Sequence, residues 1–507
     1  MNSAQLENQL AYFPGYFANH VLLTVGALVL GIALSLPLAA VAIRRPGLAG
    51  PLLGVASVVQ TIPGLALLAL MVPLLGRIGV VPALVALVLY SMLPILRNTV
   101  TGALEVDANV IEAARGVGMT DDQILLRIRF PLSAPVIVAG IRTAAVWTVG
   151  MATLSTPVGA TSLGNFIFSG LQTQNTVAVL LGCLGAAILA IALDGLIRMA
   201  ELAAARRDAR LAWTSLALFI AAVVLATTPI AGNLLGGSQR PRVNVGAKTF
   251  TEQYILAELI ADRLETAGFE ATIRDGLGST VVFQALAQGE IDVYVDYSGT
   301  IWANQLKRKE TASAQRVLAE IKTWLLAEHQ ILSLGALGFE NAYAFAMRRD
   351  RAEALGIETL LDLALHASSL SVGGDYEFFS RPEWIAVRDA YGMKFAEQRS
   401  FDSTLMYTAV SEGHVDVISA FSTDGRIAAF DLVVLDDPRE SLPPYDGVLL
   451  LSRSAAARPD LVNALRPLIG SLDDRAMREA NRRVDLDHRP VDEVAHELSR
   501  GLAIPRR

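Results

Sequence analysis

Cysteine, charge and runs of like-charged residues are scarce in this sequence. Its 507 residues include one cysteine, Cys183, within an apolar stretch, so no intrachain disulfide can form and the thiol is expected to pack as a small hydrophobe. Only 18% of the residues are charged, and the net charge of −7 comes without a long run of either sign or a basic stripe with interleaved aromatics. A surface that binds nucleic acid is therefore not expected.

Signals of enzymatic chemistry are also missing. The histidines beyond residue 240 do not have the spacing of paired metal ligands, and no G-x-S-x-G nucleophile elbow is present. Residues 246–249 (Gly-Ala-Lys-Thr) superficially resemble a phosphate-binding loop, but the glycine required five residues earlier is absent. We therefore expect no catalytic residue, no metal, no cofactor and no ATP hydrolysis by this chain itself.

Apolar residues are abundant, and they are distributed unevenly. The mean hydropathy is +0.44, and apolar residues dominate up to about residue 235, whereas the chain beyond Arg240 has the charge density of a soluble protein. A single soluble domain cannot explain this division. We therefore expect a membrane domain over residues 1–235, a linker over 236–242 with a Gly-Gly-Ser sequence, and a soluble domain over 243–507.

Six apolar stretches in the first domain are long enough to cross a bilayer, which needs about 20 residues per helix. They are residues 20–43, 51–75, 78–97, 132–156, 175–198 and 211–232. Arginines are concentrated in the loops after the first, third and fifth stretches, so the positive-inside bias places these loops in the cytoplasm. The soluble domain is then expected on the outer side of the membrane.

Two further expectations concern the apolar helices. The first 18 residues have neither a basic start nor a small-residue cleavage site, so the first apolar helix is expected to remain in the membrane. Asp194 is an acid within the fifth stretch, and Arg198 stands four residues further along the same helix. A pair between these two residues is expected, although an intramembrane acid can also mark a transport pathway.

The longest cytoplasmic loop, over residues 105–131, contains a regularly spaced motif. In order, its members are Glu112, Ala113 and Ala114, then Gly118 after three residues, and Ile128, Phe130 and Pro131 after nine more. The pattern predicts a short helix, a tight turn at Gly118, and a second helix that Thr120 and Gln123 cap and Pro131 ends. It resembles the EAA loop of ABC importer permeases, with Phe130 in place of the usual leucine. The resemblance implies that the loop docks on a separate ATPase subunit; an ordinary helical hairpin is the alternative.

The soluble domain alternates strand-like and helix-like segments, and one segment occurs twice. Residues 279–293 match residues 403–417 at a constant offset of 124, each with the pattern of a capped helix, a glycine stop and a buried strand. The match continues to Tyr297 and Phe421, just past the carboxyl ends of the strands, where open α/β sheets bind ligands. The repeat predicts an α/β domain of two lobes that close around a solute. Chance recurrence of a common local pattern is the alternative.

Several motifs of the soluble domain resemble the substrate-binding component of the quaternary-ammonium (glycine betaine, choline, carnitine) ABC importers. They are residues 248–253 (Lys-Thr-Phe-Thr-Glu-Gln), 289–292, 296–300, 377–381, 422–426 and 443–445. The resemblance implies an extracytoplasmic two-lobed fold like that of periplasmic binding proteins, fused to its permease, and an aromatic box to which Tyr297 contributes. Many relatives have tyrosine where this chain has Phe421, so the exact ligand stays open. Ergothioneine, a betaine of histidine, or another betaine-like amino acid is the alternative solute.

These features predict a cleft for a small quaternary-ammonium solute. The predicted ligand-binding residues are Tyr297, Phe421, Tyr343, Tyr376, Arg381, Ser279, Thr280, Gln253 and Thr423. A quaternary ammonium has no N–H group to donate, so the rings of Tyr297 and Phe421 would hold it by their faces. Arg381 would pair with a ligand carboxylate, unless it forms a salt bridge within the protein. Tyr343 and Tyr376 could equally be core aromatics.

The expected protein is a multi-pass permease of the inner membrane, in contact with lipid, whose binding domain faces the periplasm or the exterior. An importer needs two permease halves and two ATPases, and one set of six spans with one EAA-like loop supplies one half, so we expect a homodimer. A ligand sensor that signals without transport is a rival from another class. The EAA-like loop favours the importer, because a sensor needs no dock for an ATPase.

Overall fold

The computed structural model describes residues 3–172, 175–235, 240–308, 312–376, 378–403 and 405–502. The chain divides into two compact units, one of Met1–Phe168 with Val177–Gly237 and the other of Ser169–Thr176 with Ser238–Arg507. Positions 236–239 of the predicted linker, Glu377 of one motif and Thr404 of the repeat lie outside the described residues.

The first unit is helical. Its helices are α1 (Ser3–Arg44), α2 (Pro46–Thr61), α3 (Gly64–Leu75), α4 (Val80–Leu104), α5 (Ala108–Gly116), α6 (Asp121–Ile124), α7 (Phe130–Thr153), α8 (Gly164–Gln172, partly in the second unit), α9 (Thr176–Arg206) and α10 (Ala209–Leu235). Within the described part of the chain, five of these are long and apolar enough to cross a membrane, and α2 with α3 would make a sixth as a bent pair. The prediction of about six membrane helices is confirmed.

The second predicted stretch, 51–75, is two helices rather than one. The axes of α2 and α3 differ by 101°. Pro63 explains the break, because proline disfavours the helical conformation of the residue before it, and Ile62 is extended with φ −70° and ψ 126°. The hydroxyl of Tyr90 on α4 donates a hydrogen bond to the carbonyl of Ile62. A hydrogen bond from a neighbouring helix therefore satisfies the backbone carbonyl at the break.

The acid within the membrane helices has a different partner from the predicted one. Oδ1 of Asp194 lies 2.9 Å from Nε of Arg142 on α7, and Nη1 of the same guanidinium lies 2.7 Å from Oε2 of Glu201. The predicted pair with Arg198 is wrong. Asp194 and Glu201 are seven residues apart on α9 and share one helix face, so the planar fork of Arg142 can bind both acids at once.

The loop over residues 105–131 has the predicted turn and capping box. Gly118 has a φ of 84°, which favours glycine. Oγ1 of Thr120 accepts a hydrogen bond from the backbone N–H of Gln123 at 3.3 Å. In return, Oε1 of the Gln123 side chain accepts one from the backbone N–H of Thr120 at 3.0 Å. Pro131 does not end the second helix, because α6 continues through a π-helical turn over Leu125–Arg129 into α7. Proline is tolerated within this continuous helix because a π-helical turn is a local adjustment that can re-satisfy the backbone groups that proline leaves unpaired.

The second unit contains two five-stranded sheets with the same plan. The strand orders are β2-β1-β3-β10-β4 and β7-β6-β8-β5-β9. The strands are β1 (Arg242–Lys248), β2 (Glu270–Leu277), β3 (Val293–Tyr297), β4 (Leu332–Glu340), β5 (Tyr343–Arg348), β6 (Ser371–Asp375), β7 (Glu397–Phe401), β8 (Val417–Phe421), β9 (Leu432–Leu435) and β10 (Asp446–Leu451). In the spatial order of each sheet, the first three strands are parallel to one another, and the fourth strand is antiparallel to both of its neighbours. We call the part around the first sheet the first lobe and the part around the second sheet the second lobe.

Helices surround both sheets. They are α11 (Thr251–Thr266), α12 (Ser279–Gln288), α13 (Ser298–Thr300), α14 (Ala314–His329), α15 (Arg349–Leu355), α16 (Leu360–His366), α17 (Pro382–Tyr391), α18 (Leu405–Ser411), α19 (Arg426–Ala429), α20 (Arg453–Ala456), α21 (Pro459–Leu465), α22 (Asp474–Asp485) and α23 (Val491–Gly501). The largest buried apolar cluster draws residues from both sheets, among them Val295 and Phe345. The α/β prediction for the soluble domain is confirmed.

The sequence repeat corresponds to a repeated structure. The strands β3 and β8 keep the offset of 124 residues and are the central strands of their sheets. The helices before them stop at Gly289 and Gly413, with φ values of 75° and 76°. Oδ2 of Asp292 accepts a hydrogen bond from a backbone amide of β1 at 2.8 Å, and Oδ2 of Asp416 accepts one from a backbone amide of β6 at 2.9 Å. Chance recurrence of a local pattern does not account for these shared positions.

Candidate solute-binding site

A continuous cluster of aromatic rings lies where the central strands end. Tyr297 at the end of β3 stacks on Phe250 with ring centroids 6.0 Å apart, and Phe250 stacks on Phe421 at the end of β8 at 6.3 Å, with the two rings 2° from parallel. Beyond Phe421 come Tyr343 at 5.1 Å and then Tyr445, 5.7 Å from Tyr343. We call these five residues the aromatic cluster. It joins the two predicted ring positions through Phe250.

The phenol of Tyr297 is held tightly within the first lobe. Its hydroxyl donates a hydrogen bond to Oε1 of Glu252 at 2.6 Å and accepts one from Nε2 of Gln253 at 3.0 Å. Only 4% of the residue is exposed. Burial, with the nearby Glu252 carboxylate, raises the pKa of Tyr297 well above its usual value. The predicted residue Gln253 thus orients this ring.

A buried ion pair lies beside Tyr297. Nζ of Lys248 contacts Oδ1 of Asp296 and lies 5.2 Å from the centroid of the Tyr297 ring. Oδ2 of Asp296 accepts a hydrogen bond from the Tyr294 hydroxyl at 2.6 Å. Lys248 and Asp296 are almost fully buried, and burial destabilises charged groups unless they are paired. This pair was not predicted from the sequence, although the two residues begin the 248–253 and 296–300 motifs.

Arg381 lies beside the aromatic cluster and has a partner within the protein. Its Nη2 and Nε lie 2.8 and 3.2 Å from the two carboxylate oxygens of Glu383, and its Cζ is 5.2 Å from the ring centroid of Tyr343. The Tyr445 hydroxyl donates to the same carboxylate. Pairing of Arg381 with a ligand carboxylate stays a prediction, since a ligand would have to share or displace Glu383.

The other predicted residues divide into two groups. Thr423, which is 1% exposed, donates a hydrogen bond from its hydroxyl to Oε2 of Glu252 at 2.6 Å, and the buried Tyr343 donates one to Oδ2 of Asp375 at 3.1 Å. Tyr376 is 73% exposed. Ser279 and Thr280 form the first turn of α12. Among the described residues, no hydrogen bond or ring contact links these last three to the aromatic cluster.

Phe250 and Tyr445 were missed as ring positions. Each lies inside a quoted motif, Phe250 in residues 248–253 and Tyr445 in residues 443–445. A further search of those motifs for aromatic residues would have found both. Their contacts with Phe421 and Tyr343 depend on the fold, because the residues are far apart in the sequence.

Two α/β lobes of one plan, with aromatic rings at the ends of both central strands, define a solute-binding domain of the periplasmic binding type. It follows a unit of membrane-spanning helices in the same chain. This combination is the architecture of a permease fused to its binding protein.

Comparison with known proteins gives the family. Residues 241–499 match the substrate binding domain of ABC-type glycine betaine transport systems, and residues 27–227 match the inner membrane component of binding-protein-dependent transport systems. The chain is 33% identical to the ergothioneine transport permease/ergothioneine binding protein of Helicobacter pylori (strain G27), over 89% of this chain and 84% of that protein.

Other relatives match one half each. A choline transport system permease protein of Bacillus subtilis (strain 168) is 42% identical over 36% of this chain and 83% of its own length. A glycine-betaine-binding protein of Pseudomonas aeruginosa is 32% identical over 52% of this chain and 89% of its own length. A solved glycine betaine/carnitine/choline ABC transporter structure is 27% identical with a TM-score of 0.46, over 51% of this chain and 97% of that one.

The chain therefore belongs to the ABC-type glycine betaine transport family, with permease and binding domain in one polypeptide. It is the permease and substrate-binding subunit of an ABC importer for betaine-like solutes, a multi-pass protein of the inner membrane whose binding domain is of the extracytoplasmic type. The resemblance, fold class, function and location expected from the sequence are confirmed.

Proposed function

We propose that this subunit imports a zwitterion with a trimethylammonium group and a carboxylate, as in glycine betaine, carnitine or ergothioneine. The observation that supports this most is the aromatic cluster with a buried cation over one tyrosine ring of each lobe. Lys248 lies over Tyr297 and Arg381 lies over Tyr343.

The rings suit the trimethylammonium group. A quaternary ammonium offers no N–H to an acceptor, whereas each ring face attracts it by roughly 0.5–2 kcal/mol. Tyr297, Phe250 and Phe421 are joined by stacking, so several faces lie within a short distance. Tyr297 and Phe421 are the positions that we assign to the cation, with Tyr343 beside them.

The buried cations suit the carboxylate. Arg381 is the residue that we assign to it, because a guanidinium fork can bind both oxygens of a carboxylate. The carboxylate of its present partner Glu383 also accepts a hydrogen bond from the Tyr445 hydroxyl. Glu383 would therefore keep one hydrogen-bond donor if the ligand displaced the guanidinium. Thr423, Gln253, Ser279 and Thr280 are assigned supporting positions around the site, and Tyr376 an outer one.

Ergothioneine and the simpler betaines are both candidates within this class. The ergothioneine relative aligns with both halves of the chain, and the glycine-betaine-binding relative aligns with the soluble half. Choline is a different case, since it has the cation without the carboxylate. The choline relative aligns with the permease half, which contains none of the aromatic cluster.

We also propose that two copies of the chain assemble with a separate ATPase, which binds the loop over residues 105–131 and hydrolyses the ATP. The proposed ATPase-binding residues are Glu112, Ala113, Ala114, Gly118, Ile128 and Pro131. Ile111, Ala114 and Ile124 form a small core within this loop, and Val117 at its turn is 80% exposed.

The apolar helices would contact lipid around the dimer. Native mass spectrometry should show two permease chains per complex, and one chain per complex would contradict the dimer.

Binding calorimetry tests the solute. The full-length chain in lipid nanodiscs is titrated with glycine betaine, carnitine, ergothioneine, proline betaine and choline, with L-valine as a control that has no quaternary ammonium. We expect at least one zwitterion to bind more tightly than choline, and no heat from L-valine. Choline as the tightest ligand would contradict the carboxylate contact. No binding by any of the five solutes would contradict the proposed function.

Transport coupling through the loop is tested at its turn. Gly118→Val should abolish solute-stimulated ATPase activity and uptake in proteoliposomes, because valine strongly disfavours a φ of 84°. The change acts through the backbone, since a Cβ at Gly118 meets no atom within 4 Å. Gly116→Val is the matched control, because position 116 ends α5 and also has open space. Equal activity of the two variants would show that the turn at Gly118 does not transmit nucleotide state.

A further inference from the structure

Glu252, in the first turn of α11, is the meeting point of four hydrogen bonds. Its Oε1 accepts from the Tyr297 hydroxyl at 2.6 Å and from Nδ2 of Asn341 at 2.9 Å. Its Oε2 accepts from the Thr423 hydroxyl at 2.6 Å and from Nδ2 of Asn481 at 3.0 Å. The residue is only 2% exposed, so water does not compete for these bonds.

All four partners donate, and this suits a carboxylate. An ionised carboxylate is an acceptor only, with about four lone-pair sites, whereas the amide of glutamine presents a donor on one side. Burial raises the pKa of Glu252, and the hydrogen bonds from Thr423, Tyr297, Asn481 and Asn341 oppose that rise because they favour the charged form. Replacing the carboxylate by an amide would therefore set donor against donor within a buried site.

The four donors come from parts of the domain that a solute site has to align. Tyr297 ends the central strand of the first lobe, and Thr423 stands two residues after Phe421, which ends the central strand of the second lobe. Asn341 lies between β4 and β5, where the chain passes from one sheet to the other. Nδ2 of Asn481 also donates to the carbonyl of Thr423 at 3.0 Å. One carboxylate thus contacts both lobes and their connection.

We propose that Glu252 is a positioning residue of the solute site. It orients the Tyr297 ring in the first lobe and holds the segment after Phe421 in the second, so that both rings face the same solute. This inference rests on the proposed function for its ligand. The interaction between the lobes does not depend on which ligand binds.

The test compares two buried carboxylates. Glu252→Gln changes the proposed positioning residue. Asp485→Asn is the matched control, because Asp485 is also 2% exposed and accepts a hydrogen bond from the Thr251 hydroxyl of α11 at 2.6 Å. Among the described residues, no hydrogen bond joins Asp485 to the aromatic cluster. By calorimetry of the full-length chain with glycine betaine, carnitine and ergothioneine, Glu252→Gln should weaken binding at least tenfold, and Asp485→Asn less than threefold. Equal losses would overturn the proposal.

A double-mutant cycle tests the action through Tyr297. Tyr297→Phe keeps the ring and removes the hydroxyl that Glu252 binds, so Glu252→Gln should cost less affinity in that background than in the wild type. Strictly additive losses would overturn this part. If Glu252→Gln does not fold, Thr423→Val provides the same test on the second lobe, because it removes one donor from the carboxylate at nearly constant volume.

A measurement without ligand separates this proposal from the proposed function. Spin labels are attached at Glu265→Cys in the first lobe and at Lys394→Cys in the second, in a Cys183→Ser background. Pulsed electron paramagnetic resonance then reports the distance between the lobes. Glu252→Gln should broaden or shift the distance distribution of the ligand-free chain by more than Asp485→Asn does. An unchanged distribution in Glu252→Gln would overturn the proposal. Failure of the wild type to bind any of the five solutes named under the proposed function would instead overturn that function.

Discussion

The two lobes of the binding domain share a plan and differ in how they hold their aromatic residues. Each has a central strand that ends on a ring and a buried cation 5.2 Å from the centroid of a tyrosine ring, Lys248 over Tyr297 and Arg381 over Tyr343. In the first lobe, hydrogen bonds fix the Tyr297 hydroxyl. In the second, Phe421 has no hydroxyl, and its backbone amide donates to the Tyr407 hydroxyl at 2.9 Å.

Some features of the repeated lobe are retained and others are not. The strand order, the glycine stop and the aspartate before the central strand occur twice. The chemistry at the end of the strand does not, since the Asp296 position of the first lobe is Ala420 in the second. Backbone geometry is common to the lobes, whereas each lobe offers its own side chains to the solute. At the end of the central strand, the first lobe therefore has side-chain hydrogen bonds for which Ala420 and Phe421 of the second lobe have no polar group.

The largest expected effect concerns the ion pair between Lys248 and Asp296. The central strand of the second lobe has no equivalent of this pair. Lys248→Met should lower the free energy of unfolding of the binding domain by about 3–5 kcal/mol, because Asp296 would remain as a buried, unpaired charge. Lys248→Met with Asp296→Leu should be less destabilised than Lys248→Met alone. Urea unfolding of the full-length chain measures both variants. Equal loss in the single and double variants would show that the pair is not the source of the effect.

The next effect compares the two rings. Tyr297→Leu should weaken binding of the tightest zwitterion about tenfold or more, equivalent to ~1.4 kcal/mol, because it removes a ring face and also leaves Glu252 without one donor. Phe421→Leu removes a ring face alone and should cost about threefold. Calorimetry of correctly folded variants gives both values. Unchanged affinity in Tyr297→Leu would remove the aromatic receptor, and a larger loss in Phe421→Leu would reverse the comparison of the lobes.

A smaller effect concerns Arg381, the buried cation of the second lobe. Arg381→Ala should weaken glycine betaine about fivefold more than choline, a difference of ~1 kcal/mol, because choline has no carboxylate for the guanidinium to bind. The ratio of the two affinities cancels any general damage to the second lobe. An equal loss for both ligands would favour a purely structural salt bridge between Arg381 and Glu383.

A last effect, of about the same size, tests what the lobes share. Gly289→Ala and Gly413→Ala should each cost about 1 kcal/mol of stability, because both glycines have φ near 75° at the end of a helix. A Cβ at either position meets only a side-chain atom, at 3.6–3.7 Å, so the backbone conformation decides the cost. Thermal unfolding of the two variants gives the comparison. Markedly unequal shifts would show that the two glycine stops are not equivalent.

Local and periodic features could be predicted from the sequence. The capping box of Thr120 and Gln123 uses residues three apart, and the repeat of β3 and β8 follows from a constant offset. The length of an apolar stretch indicated each span, but length alone did not show the break at Pro63. A contact from Tyr90, on another helix, satisfies the Ile62 carbonyl at that break.

Features that depend on distant residues could not be predicted. Arg142 binds Asp194 from a different helix, where a spacing rule pointed to Arg198. Four donors reach Glu252 from positions 45, 89, 171 and 229 residues away in the sequence. No periodicity links such positions, so the folded chain alone brings them together. Tyr297 and Phe421 were found because the repeat made them equivalent, and Phe250 between them belongs to no repeat.

We expect the ring faces of the aromatic cluster to recognise a positive charge rather than a shape. The most direct test titrates the full-length chain with glycine betaine and with 3,3-dimethylbutanoate, in which a carbon replaces the cationic nitrogen at nearly the same size. We expect this anion, whose tert-butyl group is uncharged, to bind at least tenfold more weakly, since it keeps the apolar contact and the carboxylate but loses the attraction between cation and rings. Equal affinity for the two compounds would contradict the account.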